Sequence, residues 1–373
     1  MHPTSRYIIG DVFDVLRTMD DNSVDLILTS PPFLALRSYL PTGHPNKSKE
    51  IGLEATPEAF IDTLMDLTQE CSRVLAPHGS IAVELGDTFS GAYRSQPVDD
   101  INSTQSQLKQ SRRRDRITIP TRATRGNGWP KTKSLAMVPE LYRIALSYGF
   151  NPLNPDHVMP PWIVRNVIRW HRPNPTPGSL SDKFRPSTTD MVIATNSTTR
   201  WFDIEAVRYP ALKNTTLTDN ETAPPLDTWI IPTQGYRGAH YATFPRSLLE
   251  IPIKSMCPKE VCNVCGEPRR RITKTLNPVG VGFRRSREPR SARALSSTDV
   301  PTAAQRITTG WTDCGHDDYR VGVVLDPFVG SGTTLEVAAG LGRSGIGIDI
   351  DASNFELAVR RQLLGMFLEK ETA

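Results

Sequence analysis

Residues 23–28 and the Thr29-Ser30-Pro31-Pro32-Phe33 stretch that follows constrain this chain most. Val24, Leu26, Ile27 and Leu28 form a nearly continuous apolar segment, the pattern of a parallel strand buried on both faces. Neither proline has an N–H to donate, so the strand must stop at Ser30. A hydroxyl, a proline carbonyl and an aromatic ring are left at the strand's carboxyl end, which is where open α/β sheets bind ligands. These groups suit chemistry on an exocyclic amino group, whose lone pair is delocalised into its ring. Two acceptors on its hydrogens, the Ser30 hydroxyl and the Pro31 carbonyl, would pull it toward a tetrahedral, nucleophilic geometry, and Phe33 would stack on the base. The plainer reading is a strand end with a Pro-Pro turn and a core phenylalanine.

A second stretch weighs against the plainer reading. Val323-Val324-Leu325-Asp326 reads as a strand, Pro327-Phe328-Val329-Gly330-Ser331-Gly332 as a Gly-rich turn, and 335–341 as the start of a helix. The turn has no lysine, which argues against a phosphate-binding P-loop, and Leu335 stands where a dinucleotide fingerprint needs its third glycine. Residues 346–349 form another strand ending in an acid, Asp349, placed to accept from both ribose hydroxyls of a nucleoside cofactor.

Together, 29–33 and 326–334 resemble the amino-methylating DNA methyltransferases that use S-adenosylmethionine. The Ser-Pro-Pro-aromatic form resembles the members that methylate the cytosine amino nitrogen; Asp- or Asn-Pro-Pro-Tyr marks mostly adenine enzymes. The catalytic motif comes first and the cofactor motif last, as in the beta-type permutation. The resemblance implies catalytic residues Ser30, Pro31, Pro32 and Phe33. It implies cofactor contacts at Asp11, Asp326, Phe328, Gly330, Gly332, Thr333 and Asp349. Asp11 follows a short strand at 7–11 and would lie near the adenine end of the cofactor, or else cap the helix at 12–19. The 170–175 element, Trp-His-Arg-Pro-Asn-Pro, resembles the family's Trp-x-Lys-Pro-Asn-Pro. Trp170 would stack beside the target base, or else belong to the core. The 240–245 segment resembles the family's His-x-Ala-x-Phe-Pro, before a helix at 246–251. His240 is read as a packing or cofactor-shell residue rather than a base.

The 373 residues allow one large α/β domain with insertions, or two domains. A net charge of +4 says little about nucleic acid, but the distribution says more. Residues 90–133 carry Arg112, Arg113, Arg114, Arg116, Arg122, Arg125, Lys131 and Lys133, a pattern that tracks phosphates or marks a solvated insertion. A second basic run, from Arg269 to Arg293, lies between two pairs of metal-ligand residues. Cys262 and Cys265 form a Cys-x-x-Cys pair, and Cys314 and His316 would complete a tetrahedral zinc site, with Cys257 as a spare ligand. The alternative is reduced surface thiols. No 18-residue apolar run or signal peptide is evident, so a cytoplasmic, nucleoid-associated protein of a bacterial or phage-infected cell is expected, without membrane contact.

Elsewhere, 37–49 reads as a lid or a solvated connector, and Thr56 caps a helix that opens at 57 with apolar residues at 60, 61, 64, 65 and 67 on one face. His78 reads as exposed in a turn that ends this segment, Asp87 ends a strand at the ligand edge, and 201–203 reads as a short strand. An amphipathic helix is expected over 355–368. The fold expected is α/β with a mostly parallel, seven-stranded, Rossmann-like sheet, circularly permuted. It would divide into a catalytic half at 1–89, a basic insertion at 90–133, further strands and a target-recognition region at 134–261, a cysteine-containing basic insertion at 262–320 and a cofactor half at 321–373. The partners expected are double-stranded DNA, a second copy of the chain and a cognate restriction endonuclease. The alternatives are adenine N6 methylation or a non-catalytic, zinc-stapled DNA-binding protein. Carbon-5 methylation of cytosine is disfavoured because no Pro-Cys pair supplies a nucleophile.

Overall fold

The structure, a computed structural model, describes residues 2–90, 128–175, 182–210, 222–233, 245–276, 305–362 and 368–372. The first third holds β1 (Ser5–Ile9), α1 (Val12–Thr18), β2 (Val24–Thr29), α2 (Pro57–Val74) and β3 (Leu75–Leu85). The middle holds α3 (Val138–Tyr148), β4 (Phe150–Asn151), β5 (Asn154–Val158), β6 (Ile163–His171), β7 (Thr188–Thr195), β8 (Tyr209–Pro210), β9 (Thr222–Ala223) and β10 (Thr228–Ile230). The last part holds α4 (Arg246–Met256), β11 (Glu260–Cys262), β12 (Arg271–Leu276), β13 (Gln305–Trp311), β14 (Tyr319–Val321), β15 (Val323–Asp326), α5 (Thr333–Gly340), β16 (Ser344–Asp349), α6 (Ser353–Gln362) and β17 (Leu368–Thr372).

Among the described residues, nine strands form the main sheet in the order β10-β6-β7-β3-β2-β15-β16-β1-β17. All neighbours are parallel except those of β7, which runs antiparallel to both β3 and β6. The mostly parallel α/β sheet is as expected, but it has nine strands rather than seven. The two extra strands are short or polar edges: β10 beside β6, and the charged Leu-Glu-Lys-Glu-Thr of β17 beside β1. Charged edge strands resist further pairing, and they lack the apolar run that identifies a central strand.

The central strands are buried along their length, β2 at every position. On one side α2 lays Phe60, Ile61, Leu64 and Met65 onto the sheet, with Leu146 of α3 in the same cluster. Its N-terminus is set by Thr56, whose hydroxyl accepts from the Ala59 N–H at 3.1 Å, with Pro57 in the first turn. On the other side α4 contributes Leu248, Leu249 and Ile253. This helix continues through Pro252 to Met256 instead of ending at 251, with Pro252 buried.

Residues 201–203 are not a strand but lead into a short 3₁₀ turn, Ile204–Val207. The last helix ends at Gln362, and Leu368 belongs to β17 rather than to that helix.

The largest departure is at Pro77-His78-Gly79, which lies inside β3 as an irregularity in its pairing with β2 rather than in an exposed turn. The irregularity swings His78 inward, to 7% exposure, with its Nε2 2.9 Å from Asp25 Oδ1. Asp25 is fully buried and also accepts from the Arg320 guanidinium (2.6 and 3.0 Å) and the Val323 N–H (2.7 Å). Burial opposes ionisation of Asp25, but the hydrogen bonds from His78 and Arg320 outweigh it and hold the carboxyl below its usual range. One carboxylate thus joins β2, β3 and the entry to β15. No helix among the described residues is long and apolar enough to cross a membrane.

Candidate active site

β2 lies between β3 and β15, so three strand ends meet at one edge of the sheet. Residues far apart in sequence bond there: Thr29 Oγ1 donates to Asp326 Oδ1 at 2.7 Å, both groups being buried. The Ser-Pro-Pro-Phe stretch and the Gly-rich turn therefore begin side by side.

Ser30 leaves the ladder as its sequence requires. Its hydroxyl donates to Glu84 Oε2 at 2.6 Å, near the end of β3. Glu84 is 3% exposed; burial pushes its carboxyl up, against the opposing pull of the Ser30 hydrogen bond. Because the Ser30 proton is committed to Glu84, the oxygen's lone pairs are left to accept from another donor. Sequence reasoning missed Glu84, although a lone acid in the apolar run 81–85 was a usable signal.

Phe33 is positioned by the absence of a side chain at Gly86: a Cβ there would fall 2.4 Å from Phe33 Cε2. Behind the ring, the Gly52 carbonyl accepts from the Ala35 N–H at 2.8 Å, closing the loop that follows. That loop is pinned at one point, while Pro41, Thr42, Gly43 and Pro45 within it are exposed. The Glu50 carboxylate, 2% exposed, gathers the backbone N–H of Tyr39 and Leu40, the Ser38 hydroxyl and the Lys47 ammonium. Gly86→Ala must displace the Phe33 ring while leaving the fold intact. Since an ångström of misplacement costs up to about 10²-fold in rate, a loss of about tenfold or more in single-turnover rate, with an unchanged melting midpoint, is expected.

The cofactor candidates divide into two groups. Asp326 is buried, and its oxygens are taken by Thr29, by the Phe328 N–H (3.1 Å) and by Thr334 Oγ1 (2.6 Å). These bonds let it brace the Gly-rich turn. Thr333 is likewise buried, at the start of α5. Gly330 and Gly332 have φ of +49° and +79°, the left-handed backbone that favours glycine and lets the turn double back into α5.

Asp349, by contrast, lies at the open carboxyl end of β16. It accepts from the Asp351 N–H (2.7 Å) and Asn354 Nδ2 (3.0 Å), and the buried Tyr7 hydroxyl lies between it (3.3 Å) and the Gly330 carbonyl (2.8 Å). Burial pushes its carboxyl up to about 7. β1 pairs with β16 so that Ile9 lies opposite Asp349, and Asp11 leaves the sheet at the same edge. Asp11 Oδ1 caps α1, accepting from the Phe13 and Asp14 N–H groups at 3.1 Å each. Asp87 is likewise a cap, accepting from the Met137 and Val138 N–H groups at the start of α3.

Trp170 is 5% exposed and packs with Ile168, Met191 and Trp229, its indole N–H donating to the Ile231 carbonyl at 2.8 Å. These neighbours cover most of the ring. Its neighbour Arg172 sets its guanidinium 5.3 Å from the indole centre and acts electrostatically on Glu84. Arg112, Arg113, Arg114 and His240 lie outside the described residues.

A family model described as DNA methylase, of the N6/N4 kind, matches residues 24–262 and 319–360. The type II methyltransferase M.Cfr9I of Citrobacter freundii is 29% identical over 240 residues, 64% of this chain and 68% of the relative. M.SmaI of Serratia marcescens is 24% identical over 359 residues, 96% of this chain and 90% of the relative. M.SfiI of Streptomyces fimbriatus is 27% identical over 208 residues, 56% of this chain but 40% of the relative's own length. Among solved structures, the PvuII DNA methyltransferase, described as cytosine-N4-specific, has a TM-score of 0.50 at 14% identity, covering 99% of this chain and 96% of that one.

Proposed function

The chain belongs to the DNA methylase family, and on that premise we propose that it moves a methyl group from S-adenosylmethionine to the N4 amino nitrogen of a cytosine turned out of duplex DNA. The observation that carries this reading is the Thr29–Asp326 bond, which ties the end of β2, one residue before Ser30, to the start of the Gly-rich turn. The choice of cytosine rests on Ser30 and Phe33, which stand where adenine enzymes mostly have an acid or amide and a tyrosine.

The residues present fit the cofactor: an acceptor at the end of β16, a glycine turn beside it and a second acid, Asp11, at the same edge. When bound there, S-adenosylmethionine supplies a methyl group on a sulfonium centre, open to in-line displacement. Asp349 would hold the ribose hydroxyls, and Gly330 and Gly332 would let the backbone approach the amino-acid end, with Phe328 alongside. Turning the target base out of the stack costs a few kcal/mol, which stacking on Phe33 would offset by about 1–3 kcal/mol. Ser30 Oγ and the Pro31 carbonyl would accept the two amino hydrogens and free the nitrogen lone pair, with Pro32 fixing the turn. The proton lost after transfer would pass through Ser30 to Glu84, whose raised affinity for protons suits it as acceptor.

Calorimetric titration with S-adenosylmethionine tests the cofactor assignment. Removing a paired charged acceptor costs about 1.5–3 kcal/mol, so Asp349→Ala should weaken binding by roughly ten- to a hundredfold. The hydroxyls need the ionised carboxylate, and burial holds Asp349 up to about 7 in the free protein. Binding therefore releases a proton below that value. Affinity should rise by about tenfold per pH unit up to near 7 and level off above it. Equal affinity in wild type and variant at every pH would remove Asp349 from the site.

A further inference from the structure

Away from the sheet's carboxyl edge, segments 260–271 and 311–321 fold against each other with almost no apolar interior. Val261, Cys262 and Pro268 are their buried side chains, while Val264 is 64% exposed. A unit this small rarely holds its shape by burial alone and calls for a cross-link or a metal. Its backbone is nevertheless tightly specified. β11 pairs with β14, Cys262 opposite Tyr319, and Asn263 bonds to Asp318 through both backbone (3.0 Å) and side chain (2.6 Å).

Three sulfurs and an imidazole converge at this junction. The ligand atoms of Cys262, Cys265, Cys314 and His316 all lie within 4.8 Å of one another, with Cys262 Sγ 3.5 Å from His316 Nδ1. The N–H groups of Val264 and Cys265 point at Cys262 Sγ, at 3.3 and 3.5 Å, as donors that favour a thiolate. Gly266, at φ +72°, turns the chain after the first pair, and its N–H returns to the Cys262 carbonyl at 3.0 Å. Gly315, at φ +78°, allows Cys314 and His316 to reach the same point.

We propose that Cys262, Cys265, Cys314 and His316 together bind one Zn²⁺ ion. Three thiolates and a neutral imidazole make a soft tetrahedral set that suits zinc, and four protein ligands leave no open position, so the site is structural. The ion would clamp both feet of the β12–β13 hairpin. The rest of that base is already tied to the main domain: the Trp201 indole donates to the Arg269 carbonyl (2.9 Å), and Arg271 pairs with Asp203 at 2.8 Å. The sequence offered Cys257 as a spare ligand. The structure removes it, because Cys257 is fully buried against the Pro258 carbonyl and is not part of the cluster.

The test is metal content of the full chain, purified without chelator, measured by mass spectrometry and read independently of methyl transfer. About one zinc per chain is expected, lost in Cys265→Ser and in Cys314→Ser and retained in Cys257→Ala. Cobalt exchange into the wild type should give the visible bands of a tetrahedral thiolate site, which decides the matter if the serine variants do not fold. A wild-type protein that carries no zinc and takes up neither zinc nor cobalt overturns the proposal. Full metal retention in both serine variants does the same.

Discussion

Replacing Ser30 by alanine should lower the single-turnover rate of methyl transfer by about 10²–10³-fold, the loss seen when one preorganised group is removed from a reacting centre. Cofactor affinity should barely change, because Ser30 bonds to Glu84 and not to the Gly-rich turn. The same geometry separates two roles. Ser30→Ala removes the acceptor and the proton path together. Glu84→Gln keeps a polar partner for Ser30 but cannot take a proton, so it should slow transfer less than Ser30→Ala and shift the acid side of the rate profile. A Ser30→Ala enzyme that retains the wild-type rate would detach the reaction from the end of β2.

The second large effect concerns stability. Asp25→Ala should cost about 3–5 kcal/mol, the usual result of removing one member of a buried ion pair. It would leave the Arg320 guanidinium, the His78 ring and the Val323 N–H without the carboxylate they share. Hydrogen bonding holds Asp25 below the ordinary carboxylate range, so its contribution is complete above about pH 4 and lost as the pH falls through its depressed value. The gap between wild type and variant in denaturant unfolding should therefore be wide at neutral pH and close in acid. A gap of under about 1 kcal/mol at neutral pH would mean that Asp25 is not a keystone between β2, β3 and β15.

The parts of the fold legible in the sequence were those written in local patterns. The apolar run before Pro31-Pro32, the Gly330–Gly332 turn and the acid closing β16 each state their structure within a few residues, and they fell at one sheet edge as the motif order implied. Cys262 with Cys265 and Cys314 with His316 were each legible as a pair, because ligand spacing within a pair is a local pattern, but their meeting at one point is seen only in the fold. What was hidden depends on partners distant in sequence. His78 looks like a turn residue until β3 bulges over Asp25. The packing of Trp170 against Trp229 cannot be read before β10 is known to pair with its strand. The bond to Asp326 comes from Thr29, at the other end of the chain. Glu84 was passed over because an acid near the end of an apolar strand reads as surface unless its strand neighbour is known. The outer strands were missed for different reasons: β10 is only three residues long, and the charged β17 carries no apolar run.

The most direct test of the central claim is nucleoside analysis by mass spectrometry of unmethylated duplex DNA incubated with the purified protein and S-adenosylmethionine. The expected product is N4-methylcytosine, formed by the wild type and reduced by at least about 10²-fold in Ser30→Ala at equal time. N6-methyladenine as the product would contradict the choice of base, and the absence of any methylated nucleoside under conditions where the cofactor binds would contradict the catalytic reading itself.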